Sequence, residues 1–469
     1  MTASVPAYVP IRGFASGRGG GRPRNLLHLT RFAPLLALWL ALSGSLVADD
    51  WPGWMGPNRD GVYRESGVID AIPESGLPVK WRAEIAGGYA GPAVADGRVF
   101  VFDYLPRSGD AVNDPGTRAI LEGEERLLAF DAVTGRPLWQ HAYDCPYAIS
   151  YPAGPRCTPT VDGNRVYTLG SEGDLRCLDV TSGELVWSRS FKRDFDAEVP
   201  IWGFASHPLV DGDLLITMVG GTGQGVVAFD KRTGEVRWQA LDAKAGYCPP
   251  SIVEAGGKRQ LIIFHPDAVE SLDPADGSRY WDVPIRPSYE MSIARPMVEG
   301  DRMYASGIGE VAVMLRLSAD RPEVEELWRG QGRRDSVYAS NATPILAGGV
   351  IYGADCGKGA LIAADAADGT RLWETFRPIR PDEERRLSHG TAFLTRLGDS
   401  DRYLLMSEIG DLIIASLTPE GYEEHGRFPL LEPTGEAFGR AVVWSHPAYA
   451  GRTAYARNDR EIVAVDLSK

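Results

Sequence analysis

The chain has 469 residues, 24% charged and 44% hydrophobic, an ordinary globular composition. Its formal net charge is −14, and because residues 1–48 hold five arginines and no acid, the remainder sets 44 basic side chains against 63 acidic ones. A surface that acidic repels nucleic-acid phosphates and anionic lipid headgroups, which argues against nucleic acid as a partner.

In chain order, residues 1–31 are basic and Gly-rich, and Phe32–Val47 (FAPLLALWLALSGSLV) is apolar before polarity returns at Ala48-Asp49-Asp50. A basic region, an apolar core and small residues near its end predict a secretory signal peptide over 1–48, and hence export to the periplasm or beyond. An uncleaved anchor is the alternative; otherwise no stable membrane anchor is expected. A lipid on a cysteine at the signal's end is excluded, because no cysteine precedes Cys145. Residues 49–76 read as a leader that packs on the outside of the domain formed by residues 77–469. The five cysteines (145, 157, 177, 248, 356) leave at least one unpaired; Cys145 and Cys157 are close enough in sequence to bridge in an oxidising compartment.

From residue 77 to 469 the chain repeats. LLAFDAVTGRPLW ends at Trp139, LRCLDVTSGELVW at Trp187, VVAFDKRTGEVRW at Trp238, VESLDPADGSRYW at Trp281 and LIAADAADGTRLW at Trp373, with a degenerate copy ending at Trp328. The spacings of 48, 51, 43, 47 and 45 residues suit a four-stranded propeller blade. Each unit opens with two alternating apolar runs joined by an Asp-Gly type of turn, as in Thr158-PTVDGNRVYTLG. Units begin near 91, 158, 206, 250, 294, 341, 389 and 444; the seventh replaces its Trp around His425–Phe428. The eighth stops after three strands, and its fourth is predicted upstream in Leu77-PVKWRAEI, containing Trp81. The fold class is therefore all-β: an eight-bladed β-propeller closed by pairing an N-terminal strand with the last blade, which leaves no open edge. The repeated Trp fills gaps between sheets, and Asp131, Asp179, Asp230, Asp273 and Asp365 form turns.

With strands lettered A to D from the axis outward, A–B and C–D turns share one face and B–C and D–A loops share the other. The second face holds the long connections Leu105–Glu125, Arg189–Ala205, Arg329–Ser340 and Glu374–Ser388, and is the candidate binding face. Around the channel mouth the D–A loops carry Tyr89, Tyr151, Arg156, Trp202, His207, Tyr247, Tyr289, Arg295, Tyr338, Asn341, His389, Arg440, Trp444 and His446. Such a rim suits an anionic or planar ligand or a partner's peptide. It equally suits a mouth that these side chains simply plug, and the equivalent Ser-His-Pro triplets at His207 and His446 favour a structural role. Gly220-GTGQG falls in a B–C hairpin rather than between strand and helix, so it is no phosphate loop. Asn341-Ala342-Thr343 matches a glycosylation sequon. No HExxH, GxSxG or metal-ligand spacing is present, and no nucleophile or base is nominated.

The AxDxxTGxxxW phrase, as in Ala129-FDAVTGRPLW139 and Ala228-FDKRTGEVRW238, resembles the repeat of PQQ-like propellers, a superfamily that includes quinoprotein alcohol dehydrogenases and BamB-type outer-membrane assembly proteins. Trp51-PGWMGPNRDGV looks like the leader of secreted bacterial proteins with such repeats. In the dehydrogenases the resemblance implies PQQ held between a Trp and a disulfide of adjacent cysteines, with calcium on acidic and amide side chains; this chain has no adjacent cysteines. BamB-like proteins imply a non-catalytic scaffold, although the lipid-accepting cysteine is missing. The expectation is an exported, monomeric, non-catalytic propeller that binds a protein or other macromolecule through its long-loop face, with no cofactor and no metal. A PQQ-dependent oxidoreductase is the alternative, and a carbohydrate-binding or sensor module a third.

Overall fold

The computed structural model describes residues 50–469 apart from 331, 333, 334, 383 and 384, so the predicted signal peptide lies outside the described residues. Eight antiparallel sheets follow one another in the predicted order, as in blade three, whose strands are Leu209–Asp211, Leu214–Met218, Val226–Asp230 and Val236–Ala240. The middle strands are apolar throughout because neighbouring sheets cover both their faces; Val226–Asp230 is wholly buried, whereas the outer strand Val236–Ala240 is largely exposed. The ring closes as predicted: Val79–Glu84 pairs antiparallel with Glu461–Asp466, whose sheet continues through Thr453–Arg457 to Ala448–Ala450. The eroded seventh unit does have a fourth strand, Gly421–Pro429.

The repeated phrase acts as an inter-blade staple. Asp131 Oδ1 accepts hydrogen bonds from the Val133 and Thr134 amides and shapes the turn that ends in Gly135. Over that turn lies Trp81 of the preceding blade, whose indole N–H donates to Ala132 O at 3.0 Å. The arrangement recurs for Trp139 on Val180 O, Trp187 on Lys231 O, Trp238 on Pro274 O, Trp328 on Ala366 O and Trp373 on Thr418 O. Trp281 departs from it and donates to the Gln260 side chain at 2.8 Å. Glycine is required at the turn for two reasons: Gly234 has φ +70°, and a Cβ there would stand 2.6 Å from the Trp187 ring.

Three expectations are corrected. The leader divides: residues 67–72 do lie outside the channel, against residues 467–469 and the outer strand of blade seven, but residues 51–63 enter the central channel from the short-turn face. Trp51 bridges Val94 in the innermost strand of blade one, Pro52 O accepts from Val161, and Arg59 donates to His207 O and Pro208 O. Val62–Tyr63 then runs parallel to Ala392–Leu397 on the way out. The innermost strands are short and carry unpaired main-chain groups toward the axis, so an apolar segment that also hydrogen-bonds is drawn there. Second, Leu105–Glu125 is mostly strand: Arg98–Ser108 and Ala119–Asp131 form a long hairpin that arches over the long-loop face. Third, all five cysteines are free and buried. Cys145 packs with Tyr104 and Tyr147, while Cys157 packs with Phe204 and Leu175, so the two belong to separate clusters and do not bridge.

The staple predicts that Gly234→Ala destabilises the fold by about 2 kcal/mol, combining left-handed strain with displacement of Trp187. Urea unfolding checks this, and a variant as stable as the parent contradicts it.

Candidate functional site

Buried acids brace the loops that surround the channel mouth. Asp103 accepts from the Ala86 amide, Glu172 from Ala148, Asp355 from Tyr338 and Glu408 from Thr391. Glu172, Asp355 and Glu408 stand just past the end of a B strand, Asp103 within the extended one of blade one, and each amide belongs to the incoming D–A loop. Glu408, 1% exposed, also accepts from Arg440 at 2.8 and 3.1 Å and from the Trp444 indole at 3.1 Å. These carboxylates are consumed in positioning loops, so an acid pair for catalysis is not built from them.

The braced loops enclose a well of about 530 Å³, open on the long-loop face. Eleven of the fourteen predicted rim residues line it: Tyr89, Tyr151, Arg156, Trp202, His207, Tyr247, Tyr289, Asn341, His389, Trp444 and His446. Three do not. Arg295 turns under the floor and donates to Arg59 O at 2.9 Å, the Tyr338 hydroxyl donates back to Gly332 O, and Arg440 is claimed by Glu408. Asn341, the sequon asparagine, also faces the well, with its amide near Thr391 Oγ1. Sequence reasoning missed Trp54, Phe393 and Phe438. Phe438 tips a small hairpin, Gly435–Ala437 with Arg440–Val442, inserted between blades seven and eight, and stacks on His389 at 4.6 Å.

The floor is the leader. Trp54 stacks on His207 at 5.1 Å and meets His446 edge-on at 5.9 Å, which explains the paired Ser-His-Pro triplets as a cradle for one indole. The Thr158 amide donates to His207 Nδ1 at 2.8 Å, placing the imidazole proton on Nε2. Both histidines are neutral near pH 7: burial is the leading cause, holding His446 at about 3, and at His207 the Arg59 guanidinium adds to it. His389 is lowered by burial and by Arg440.

Four residues of the wall, Tyr151, Tyr289, His389 and Phe438, have φ between +50° and +60°, a region bulky side chains avoid at a cost of about 1–3 kcal/mol each. The surrounding loops hold these rings toward the mouth against local preference.

The quinoprotein cradle does not fit. The lining contains no Asp or Glu, the cysteines are separate thiols, and among the described residues no group of three His, Cys, Asp or Glu could hold a metal ion. Cys356 does approach His389, with Sγ at 3.5 Å from Nδ1 and 3.8 Å from Nε2. That near-equal spacing puts sulfur across the ring rather than in line with a lone pair, and burial pushes the thiol up to about 11, so the pair is a packing contact and not an activated nucleophile.

Fold and site together define a propeller whose axial channel is converted into an aromatic, dead-ended well. Residues 123–375 match the family model described as outer membrane protein assembly factor BamB, and the chain belongs to that family. Among curated relatives, it is 28% identical over 166 residues to quinohemoprotein alcohol dehydrogenase ADH IIB of Pseudomonas putida, covering 33% of this chain and 21% of that protein. It is 22% identical over 265 residues to the assembly factor BamB of Moranella endobia, covering 51% of this chain and 62% of that protein. The chain thus spans less than two thirds of either relative. Solved structures with a similar fold include BamB from Moraxella catarrhalis (16% identity, 83% and 99% of the two chains, TM-score 0.38) and quinohemoprotein alcohol dehydrogenase ADHIIG from Pseudomonas putida HK5 (13%, 89% and 80%, TM-score 0.44).

The buried histidines give the site a pH signature. Unfolding returns each to its ordinary value near 6.5, where it takes up a proton, so stability falls as pH drops below about 6.5, for His446 down to about 3, by up to about 1.4 kcal/mol per pH unit per histidine. Urea unfolding between pH 4 and 7 measures this slope. His446→Gln is expected to flatten it, and an unchanged slope contradicts the assignment.

Proposed function

We propose that this protein is an exported, non-catalytic binding propeller of the BamB kind, whose long-loop face takes hold of another envelope protein. Export is read from the arginine-rich, then apolar, first 48 residues. Among the described residues, no helix is long and apolar enough to cross a membrane.

The observation that carries the reading is a set of five bulky apolar side chains exposed on the long-loop face; the other six exposed ones among the described residues lie singly or in pairs on outer strands and on the turn at Val133. Leu105, Val112 and Ile120 on the arching hairpin, with Tyr289 and Phe438 at the mouth, are all exposed, Tyr289 at 75%. Tyr289 and Phe438 line the opening and the hairpin reaches it through Pro115 and Gly116, so the five share the face on which a protein interface would find its anchors. The hairpin is held in place from below: Arg118 donates to the carbonyls of Ala148 and Val199, and Asn113 reaches across the mouth to Glu436 O at 2.7 Å. A preorganised apolar surface loses little entropy on binding. Catalysis finds no support in the wall, which offers neither carboxylate nor activated nucleophile.

A photo-reactive benzoylphenylalanine at Ile120 or at Tyr289 is expected to yield the same envelope-protein adduct from both positions. The same group at Val133, 78% exposed on the short-turn face, is expected to yield none. Adducts only from Val133, or from no position, contradict the reading.

The strained rings supply a second test. Tyr289→Gly and Phe438→Gly relieve left-handed strain, so each is expected to keep or raise the melting temperature while weakening partner capture at least tenfold. Loss of stability with capture intact would reverse the assignment.

A further inference from the structure

We infer that the well receives the C-terminal end of a partner polypeptide: an aromatic last residue whose free carboxylate is drawn by the arginines around and beneath the well. The inference rests on the reading of the long-loop face as a protein-binding surface, and three features of the well narrow the occupant.

The well is a dead end. Trp51 to Tyr63 fills the channel below it, so a chain that enters cannot run through, and only a terminus or a side chain fits. About 530 Å³ is the size of a small-ligand site, enough for two or three residues and too little for a folded element.

The local charge is positive in an acidic protein. Arg156 lies in the wall; its polar partners are the carbonyls of Gly154, Ser150 and Tyr151 and the hydroxyl of Ser171. Under the floor, Arg59 sits 5.9 Å from the Trp54 ring and donates only to carbonyls, and Arg295, 7% exposed, donates to Arg59 O and Met297 Sδ. No carboxylate lies within ion-pair distance of any of the three among the described residues, and the wall itself holds none; Asp60, paired with Arg64, attracts Arg295 only from farther off. The neighbouring imidazoles are neutral, so the arginines supply the charge. Buried cations that lack a paired carboxylate attract an anion and repel an amino terminus. A chain end that enters is therefore a carboxylate end.

The wall selects a ring. Trp202 lies 5.7 Å from Tyr247, and Trp444 lies 6.2 Å from Tyr151, spacings at which a further ring packs edge-on or offset. The Tyr151 hydroxyl is buried at this wall with no hydrogen-bond partner, an orphaned donor that a carboxylate oxygen satisfies.

The test is calorimetric titration of the full chain with Gly-Ser-Gly-Ser-Phe as the free acid, its C-terminal amide, the free acid ending in Ala, and a peptide with Phe first and an amidated end. 3-Phenylpropionate serves as the small-molecule arm. The Phe free acid is expected to bind saturably. The amide and the Ala peptide are expected to bind at least tenfold more weakly, and phenylpropionate more weakly than the peptide. Tyr151→Phe removes a hydroxyl that holds nothing in the fold; it is expected to weaken the free acid several-fold at unchanged melting temperature. Arg156→Gln is expected to bring the acid down to the amide's level. Equal binding of acid and amide, equal binding of the Phe-first peptide, indifference to both substitutions, or tighter binding of phenylpropionate each overturns the inference. Failure here with adducts still formed at Ile120 and Tyr289 sinks only the chain-end assignment. Selective peptide binding without any protein adduct sinks the partner reading instead.

Discussion

Eight blades leave a channel too wide for their own side chains to fill, and the chain's response is to fill it with its own leader. The innermost strands, such as Ala93–Ala95 and Thr160–Asp162, are three residues long and face the axis with main-chain groups that have no neighbour within the sheet. Residues 51–63 supply those neighbours: Trp51 to Val94, Pro52 to Val161, Gly61 to Arg396 and Tyr63 to Gly398. Burying Trp51, Trp54 and Met55 adds apolar stabilisation of roughly 2 kcal/mol per side chain. Every property of the well depends on this insertion: its closed floor, its neutral histidines, and the positive charge that Arg59 brings into the axis.

The two faces then divide the work. The short-turn face carries the Asp-capped turns and the glycines beneath the tryptophans, which fix blade to blade, so little there is free to vary. The long-loop face carries the arching hairpin, the Phe438 hairpin and the carboxylate-braced D–A loops. Stability generated by the repeat offsets the strain of four left-handed wall residues, three of which pack on one another or on Trp444.

The repeat was legible because its signal is local: a turn-forming Asp, a Gly four residues on, and a Trp at fixed distance specify strand, turn and strand without distant information. Counting strands then located Trp81 as the missing piece of blade eight. The rim was largely legible for the same reason, since residues just before each innermost strand must arrive at the mouth. Arg295, Tyr338 and Arg440 obey that rule in backbone position and leave the well only through their side-chain partners. Trp54 was not legible, because its contact with His207 spans more than 150 residues and the leader has no periodicity to place it. The two tryptophans of Trp51-PGWMG, in a segment outside the repeat, were the available hint that it is buried. Phe438 sits in an insertion that no other blade shares.

The leader is an integral part of the ring. Native-state hydrogen exchange of the amides from Trp51 to Tyr63 tests this most directly. Protection comparable to that of the innermost strands, lost only with global unfolding, is the predicted result. Exchange at the rate of an unstructured chain while the blades remain protected would contradict it, leaving an open channel where the well is described.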